Sequence, residues 1–218
     1  MDRLHLVIGN KNYSSWSLRP WIALKEKGVE FTETVIPLDM PDTAKMIVAE
    51  SPAGRVPVLK HGGLIVWESL AILEYAADVF PDRGFWPEGP KARAIARSAA
   101  NEMHAGFMAL RGACPMNLRR ARKPVAMDNK VLADVRRIEA LWAYCRSTYG
   151  QNGPFLFGAF SNADAMYAPV VTRLDTYDIS VSAQTRDYME AVMDTASFKA
   201  WKEAALQETW IVPSDEVD

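Results

Sequence analysis

The chain has 218 residues, 49% of them hydrophobic and 24% charged, and 25 basic against 27 acidic side chains leave a formal net charge of −2. That length holds one large domain or two small ones, either with a real core. The near-neutral balance gives no electrostatic reason to expect nucleic acid or an anionic membrane as a partner. The one locally basic run, LRRARK at 118–123, has no aromatic residues to stack bases and reads as a solvated helix end. Cys114 and Cys145 form neither a CxxC nor a metal pattern, so free, mostly buried thiols in a reducing compartment are expected. The three histidines are scattered, which argues against a zinc site. The opening MDRLHLVIGNK lacks the long apolar region of a signal peptide, and no stretch reaches membrane-spanning length. A cytoplasmic protein without a metal is the expectation.

In chain order, RLHLVIG has the length and composition of a strand. RPWIALKEKG reads as a helix with Pro20 in its first turn and Gly28 after its last. EFTETVIPL alternates like a strand, and DTAKMIVAE is a short helix that stops before Pro52. VPVLKHGGLIVWE forms a hairpin around Gly62-Gly63, and SLAILEYAADVF a helix ended by Pro81. This β-α-β-α-β-β-α order suits a four-stranded mixed sheet with helices on both faces. PDRGFWPEGPKA, with three prolines and two glycines, reads as a linker. Beyond it the spacing is helical throughout: KARAIARSAANEMHAGFMALRG, then DNKVLADVRRIEALWAYCRSTYG with Ile138, Leu141, Trp142 and Cys145 on one face, then SNADAMYAPVVTRL and two more helices. The expected division is an α/β domain at 1–80, a linker at 81–90 and an all-helical domain at 91–218.

Four local patterns carry chemistry. SSWS at 14–17 puts small hydroxyls where a strand hands over to a helix. Such serines cap the first turn, and the same turn attracts anions. GRVPVL at 54–59 sets a proline before a strand, which an ordinary turn with an exposed Arg55 also explains. WESLAI at 67–72 opens a helix with an acid and a serine. SNADAM at 161–166 has the spacing of a capping box, with Ser161 as the cap and Asp164 reaching back to the preceding backbone N–H.

In this order, the patterns resemble those of the cytosolic glutathione transferases, in particular serine-type members such as the zeta class with its S-S-C-S-W-R opening. The resemblance implies a thioredoxin-like first domain and a helical second domain that contributes the electrophile site. It implies Ser14 as the residue that hydrogen-bonds the glutathione sulfur, with Ser15 beside it. Trp16 stands where the zeta class has cysteine and is either a packing residue or a wall of the glutathione pocket. Pro57 would be cis, so that the Val56 backbone pairs with the cysteinyl part of glutathione as an added strand would. Arg55 would reach the glycine carboxylate, Glu68 the γ-glutamyl ammonium, and Ser69 the γ-glutamyl carboxylate. In the helical half, Met103, His104, Phe107 and Arg111 are candidates for the electrophile site, although the same steps describe a core face. A cationic Arg111 there would favour an acidic co-substrate. The tail ETWIVPSDEVD covers the pocket in some relatives. Glutathione is thus the implied co-substrate, a small hydrophobic electrophile the second, and a homodimer the implied assembly. The alternatives are a glutathione-dependent isomerase or dehalogenase, or a non-catalytic glutathione- or ligand-binding scaffold of the same fold.

The physical chemistry agrees with a serine. A thiol of pKa ~8.5 is mostly protonated at neutral pH, and the thiolate is the nucleophile. Lowering it by about two units requires roughly 2.7 kcal/mol of preference for the anion. A hydrogen bond to a charged group supplies about 1.5–3 kcal/mol, and a helix N-terminus around 0.3–1 kcal/mol. One hydroxyl on a helix-opening turn therefore suffices without a general base.

Overall fold

The computed structural model describes residues 3–217. Strands β1 (Leu4–Ile8), β2 (Phe31–Val35), β3 (Val58–His61) and β4 (Leu64–Trp67) form a sheet in the order β2-β1-β3-β4. β1 pairs parallel with β2 and antiparallel with β3, which turns back into β4. The near-continuous apolar run of β1 is what an inner strand covered on both faces requires. Leu6 and Ile8 enter the main core, whereas Val7 joins Ile36, Ile47 and Val58 on the opposite face.

Helices α1 (Ser15–Glu26) and α3 (Ser69–Val79) pack on the first face, and α2 (Thr43–Glu50) covers the second through Ile47. The α/β half is therefore the thioredoxin-like arrangement expected. Its first helix starts earlier than expected, so Pro20 lies inside α1 rather than in its first turn. Proline has no N–H to offer the carbonyl of residue i−4. That carbonyl belongs to Trp16, and the Ser69 hydroxyl at the start of α3 donates to it at 2.8 Å.

The helical half comprises α4 (Pro90–Ala105), α5 (Met108–Ala113), α6 (Asn129–Tyr149), α7 (Asn162–Thr176), α8 (Ala183–Met193) and α9 (Ala196–Gln207). Helical spacing runs through residues 91–112, yet the chain breaks at Gly106-Phe107 between α4 and α5. Gly106 is extended, and a Cβ there would meet the Glu102 carbonyl oxygen at 2.7 Å. Phe107 takes a left-handed φ of 57° and still reaches the core, so the apolar rhythm hides the break. Helix α7 is buried from Asn162 to Leu174 and forms the centre of this half. The carboxylate of Asp164 accepts from Ser161 N, Ser161 Oγ, Leu156 N and Tyr188 Oη at 2.8–3.1 Å. The capping box read from SNAD is thus present, widened to a buried network.

One apolar cluster runs without interruption from the sheet through α1 into α7 and the helices around it. Polar ties follow the same seam: Arg19 Nε to Met166 O at 3.0 Å, Asn162 Nδ2 to Leu73 O at 3.0 Å, and Trp201 Nε1 to Lys11 O at 2.9 Å. Among the described residues no helix is long and apolar enough to cross a membrane.

Candidate active site

The turn between β1 and α1 is buried and held from several directions. Asn10 O accepts from Tyr13 N and Ser14 N at 3.3 and 2.8 Å, and Asn10 Oδ1 accepts from Leu38 N at 2.7 Å. Asn12 Nδ2 donates to Asn117 Oδ1 at 3.0 Å. From the far end of the chain, the Glu208 carboxylate accepts from Lys11 N and Asn12 N at 2.7 and 2.9 Å.

Ser14 is the N-cap residue of α1 and 8% exposed, but its hydroxyl caps nothing. Its ψ of 83° departs from the extended backbone of the caps that do work here, such as Asp128 with ψ 175°. Simple side-chain capping, one of the two readings of this serine, is therefore ruled out. The Ser14 and Ser17 hydroxyls lie 2.7 Å apart, and Ser17 Oγ accepts from Gly9 N at 3.0 Å. Ser14 is the donor in that pair, so Ser17 Oγ accepts from both the Ser14 hydroxyl and the Gly9 amide. Its backbone is tightly fitted, since a Cβ on Gly9 would sit 2.8 Å from Leu38.

Two adjoining clefts meet over this turn. The smaller, about 290 Å³, is lined by Arg55, Val56, Pro57, Glu68 and Ser69 together with His104. The larger, about 500 Å³, is lined by Ser14, Ser15, Met108, Met116, Arg173 and Asp215 among others. Trp16, Arg55, Val56 and Arg111 border both. The Val56–Pro57 bond is cis. Glu68 is exposed and has a φ of 69°, which turns the chain into α3. With its hydroxyl proton given to Trp16 O, buried Ser69 keeps its backbone N–H, one of the free donors of the first turn of α3.

Of the candidates in the helical half, His104 and Arg111 border the clefts. Met103 and Phe107, 0% and 6% exposed, do not: they belong to the core, because the same three-and-four spacing that suits a cleft wall also builds the buried face of α4. His104 packs edge-on against Trp16 with ring centroids 5.3 Å apart, and its buried Nδ1 has no partner among the described residues. Two guanidiniums also flank Trp16, Arg19 at 4.0 Å and Arg111 at 4.8 Å from the ring centroid.

The electrostatics of the region are set by arginines. Burial holds Arg19 well below the usual guanidinium range, and Arg173 and Arg111 push it further down. Arg173 is lowered to about 10, by burial first and then by Arg111. Burial also lowers Arg111. Sequence reasoning missed Ser17, Arg19, Arg173 and Asp215. Ser17 follows Ser14 at a spacing that shares one helix face, and Arg173 interrupts an apolar helix, so both carried a signal; Asp215 carried none. Among the described residues no cluster of three or more histidine, cysteine, aspartate or glutamate side chains has the arrangement of a metal site.

Residues 13–79, which span the three motif-bearing turns of the sheet half, match the family model of the glutathione S-transferase N-terminal domain. The chain is 28% identical over 179 residues to maleylacetoacetate isomerase of Rattus norvegicus, covering 78% of each. By the first of these matches the sheet half resembles the glutathione S-transferases. The chain is also 32% identical over 121 residues to glutathione S-transferase 1 of Dianthus caryophyllus, covering 53% of this chain and 52% of that protein. Among solved structures, a glutathione transferase homologue from Burkholderia GL BGR1 with bound glutathione superposes with a TM-score of 0.71 at 21% identity, over 94% of this chain and 98% of that one. At that identity the superposition speaks for the fold alone, across both halves.

Proposed function

We propose that this protein is a glutathione transferase in which Ser14 stabilises the thiolate of glutathione for attack on a small electrophile. The observation that carries the reading is Ser14 lining the larger cleft beside the shared wall of Trp16, Arg55 and Val56, its hydroxyl hydrogen-bonded to Ser17. Glutathione occupies the smaller cleft as an extended chain, its cysteinyl part pairing with the Val56 backbone. Its γ-glutamyl carboxylate meets the Ser69 N–H at the start of α3 and its ammonium meets Glu68. Arg55 takes the glycine carboxylate, and Trp16 walls the pocket. The sulfur then lies toward Ser14, with Ser15 beside it, and the second substrate enters the larger cleft between the sheet half and α5.

The chemistry needs little more. The thiol proton leaves to solvent on binding, and the Ser14 hydroxyl, still protonated, donates to the sulfur. Once Ser14 donates to the sulfur, its bond to Ser17 reverses: Gly9 N–H donates to Ser17, Ser17 donates to Ser14, and each hydrogen bond polarises the next. The thiolate then forms a bond to the electrophilic carbon, and the leaving group departs with its electron pair. The working division is residues 1–80 for glutathione, 81–90 as linker and 91–218 for the second substrate, in a cytoplasmic homodimer.

The relative named maleylacetoacetate isomerase supports a second reading, isomerisation by the same thiolate. Trp16, in place of the cysteine of the zeta pattern, weighs against it. The deciding experiment is a titration of bound glutathione by thiolate absorbance, in wild type and in Ser14→Ala, Ser15→Ala and Ser17→Ala. Wild type lowers the thiol pKa by about two units, Ser14→Ala restores the free value, and Ser17→Ala restores part of it. A wild-type value equal to that of free glutathione would leave a non-catalytic binding protein as the better account.

A further inference from the structure

Arginines buried away from carboxylates are costly, because a desolvated charge needs an opposite one nearby. The arginine ion pairs of this protein lie elsewhere, at Arg97, Arg122, Arg137 and Arg186. Arg19, Arg111 and Arg173 gather around the clefts, and none of them pairs with a carboxylate within 4.0 Å among the described residues. Arg173 is the most constrained. It is 5% exposed, and Nε and Nη1 are fixed on the carbonyls of Cys114 and Pro169 at 2.8 and 3.0 Å. That leaves Nη2 without a protein acceptor among the described residues, on a side chain that lines the larger cleft with Ser14 and Ser15. Arg111, on the border of both clefts, adds a second charge. Burial weakens both cations' hold on their protons, and Arg111 weakens that of Arg173 further, the condition that a bound anion relieves.

We infer that the larger cleft selects an anionic second substrate, a small apolar electrophile bearing a carboxylate that Arg173 receives while the reactive carbon faces Ser14. The inference rests on the transferase reading above and narrows it to a substrate class. Glutathione's own carboxylates do not account for Arg173, because they are met at Ser69 and Arg55 in the smaller cleft, which Arg173 does not line. The remaining walls, with Leu38, Ile47, Met108 and Met116, suit an apolar body behind a charged head. Asp215, on the tail, is the carboxylate that lines the same cleft and opposes the field of Arg173.

The test uses the intact protein and a matched pair of electrophiles, 4-chloro-3-nitrobenzoate and 4-chloro-3-nitrobenzamide. In both, the glutathione sulfur bonds to the ring carbon and chloride leaves with the C–Cl electron pair. Each kcat/KM is divided by the uncatalysed rate constant, and the acid-to-amide ratio is the readout. Wild type favours the acid by roughly tenfold or more, the scale of one charge-assisted hydrogen-bonded pair. Arg173→Met abolishes the preference, Arg173→Lys keeps part of it, and Asp215→Asn raises it. Asp215 sits on a half-buried tail, so that variant and the wild-type ratio remain informative if Arg173→Met does not fold. Turnover of the amide without preference for the acid overturns the inference and leaves the transferase reading standing. So does an equal loss on both substrates in Arg173→Met. If neither is turned over, calorimetry with the two glutathione conjugates decides: tighter binding of the acid conjugate supports the inference, and equal binding overturns it. Failure to bind either conjugate or glutathione itself removes both readings.

Discussion

The Ser14 hydroxyl takes part in no capping bond and is paired instead with Ser17, on the wall of the larger cleft. Its partner Ser17 holds that hydroxyl in place by accepting from it. The cysteines illustrate the opposite case, in which chemistry is suppressed by position. Cys114 and Cys145 are free and buried, and burial pushes their thiols up to about 11 and about 12. At pH 8 the thiolate fraction is then on the order of one in a thousand or less, and the thiolate is the reactive form. An aromatic disulfide reagent at pH 8 will therefore leave both untouched in the native chain and react with both in denaturant. Fast native labelling of either would show its burial to be wrong. The folded chain also holds these two protons to higher pH than the unfolded one. The stability they contribute accordingly falls as pH rises from about 9 through their raised values.

Helices α1 and α3 meet at the Trp16 carbonyl, which Pro20 leaves without its intrahelical donor and Ser69 supplies instead. The two helix openings that frame the proposed glutathione cleft are thus tied by a single hydroxyl. Ser69→Ala leaves that carbonyl unsatisfied and should cost about 1–3 kcal/mol, read from the midpoint of denaturant unfolding. Adding Pro20→Ala restores a backbone N–H four residues after Trp16 and should recover part of the loss. Strict additivity of the two changes would show that the link is not what joins the helices. The break between α4 and α5 belongs to the same scale. It turns Arg111 to the cleft border while Met103 and Phe107 stay in the core, a division that periodicity alone does not make.

Across the whole molecule, the sheet half and the helical half share one core through α1 and α7. Helix α1, with Leu18, Trp21 and Ile22 buried, packs against α7 and α9 as well as α3 and would lose part of its cover without the second half, so the two halves should unfold together. Far-ultraviolet dichroism and tryptophan fluorescence should give coincident thermal transitions; two separated transitions would refute this coupling. The element order, the hairpin and the capping box were legible in the sequence because each is written locally, in period, turn residues and caps, and the thioredoxin-like class followed from the resemblance those motifs carry. The turns bearing Ser14, Val56-Pro57 and Glu68-Ser69 were legible for the same reason, since each occupies only a few consecutive residues. What lay beyond the sequence were the contacts between distant segments: Glu208 on the β1–α1 turn, Ser69 on Trp16, and Arg111 with Arg173 and Asp215 around the larger cleft. Local chemistry fixes which groups a turn presents, but only the packing of α5, α7 and the tail onto the sheet half decides which distant charges share a desolvated space with them.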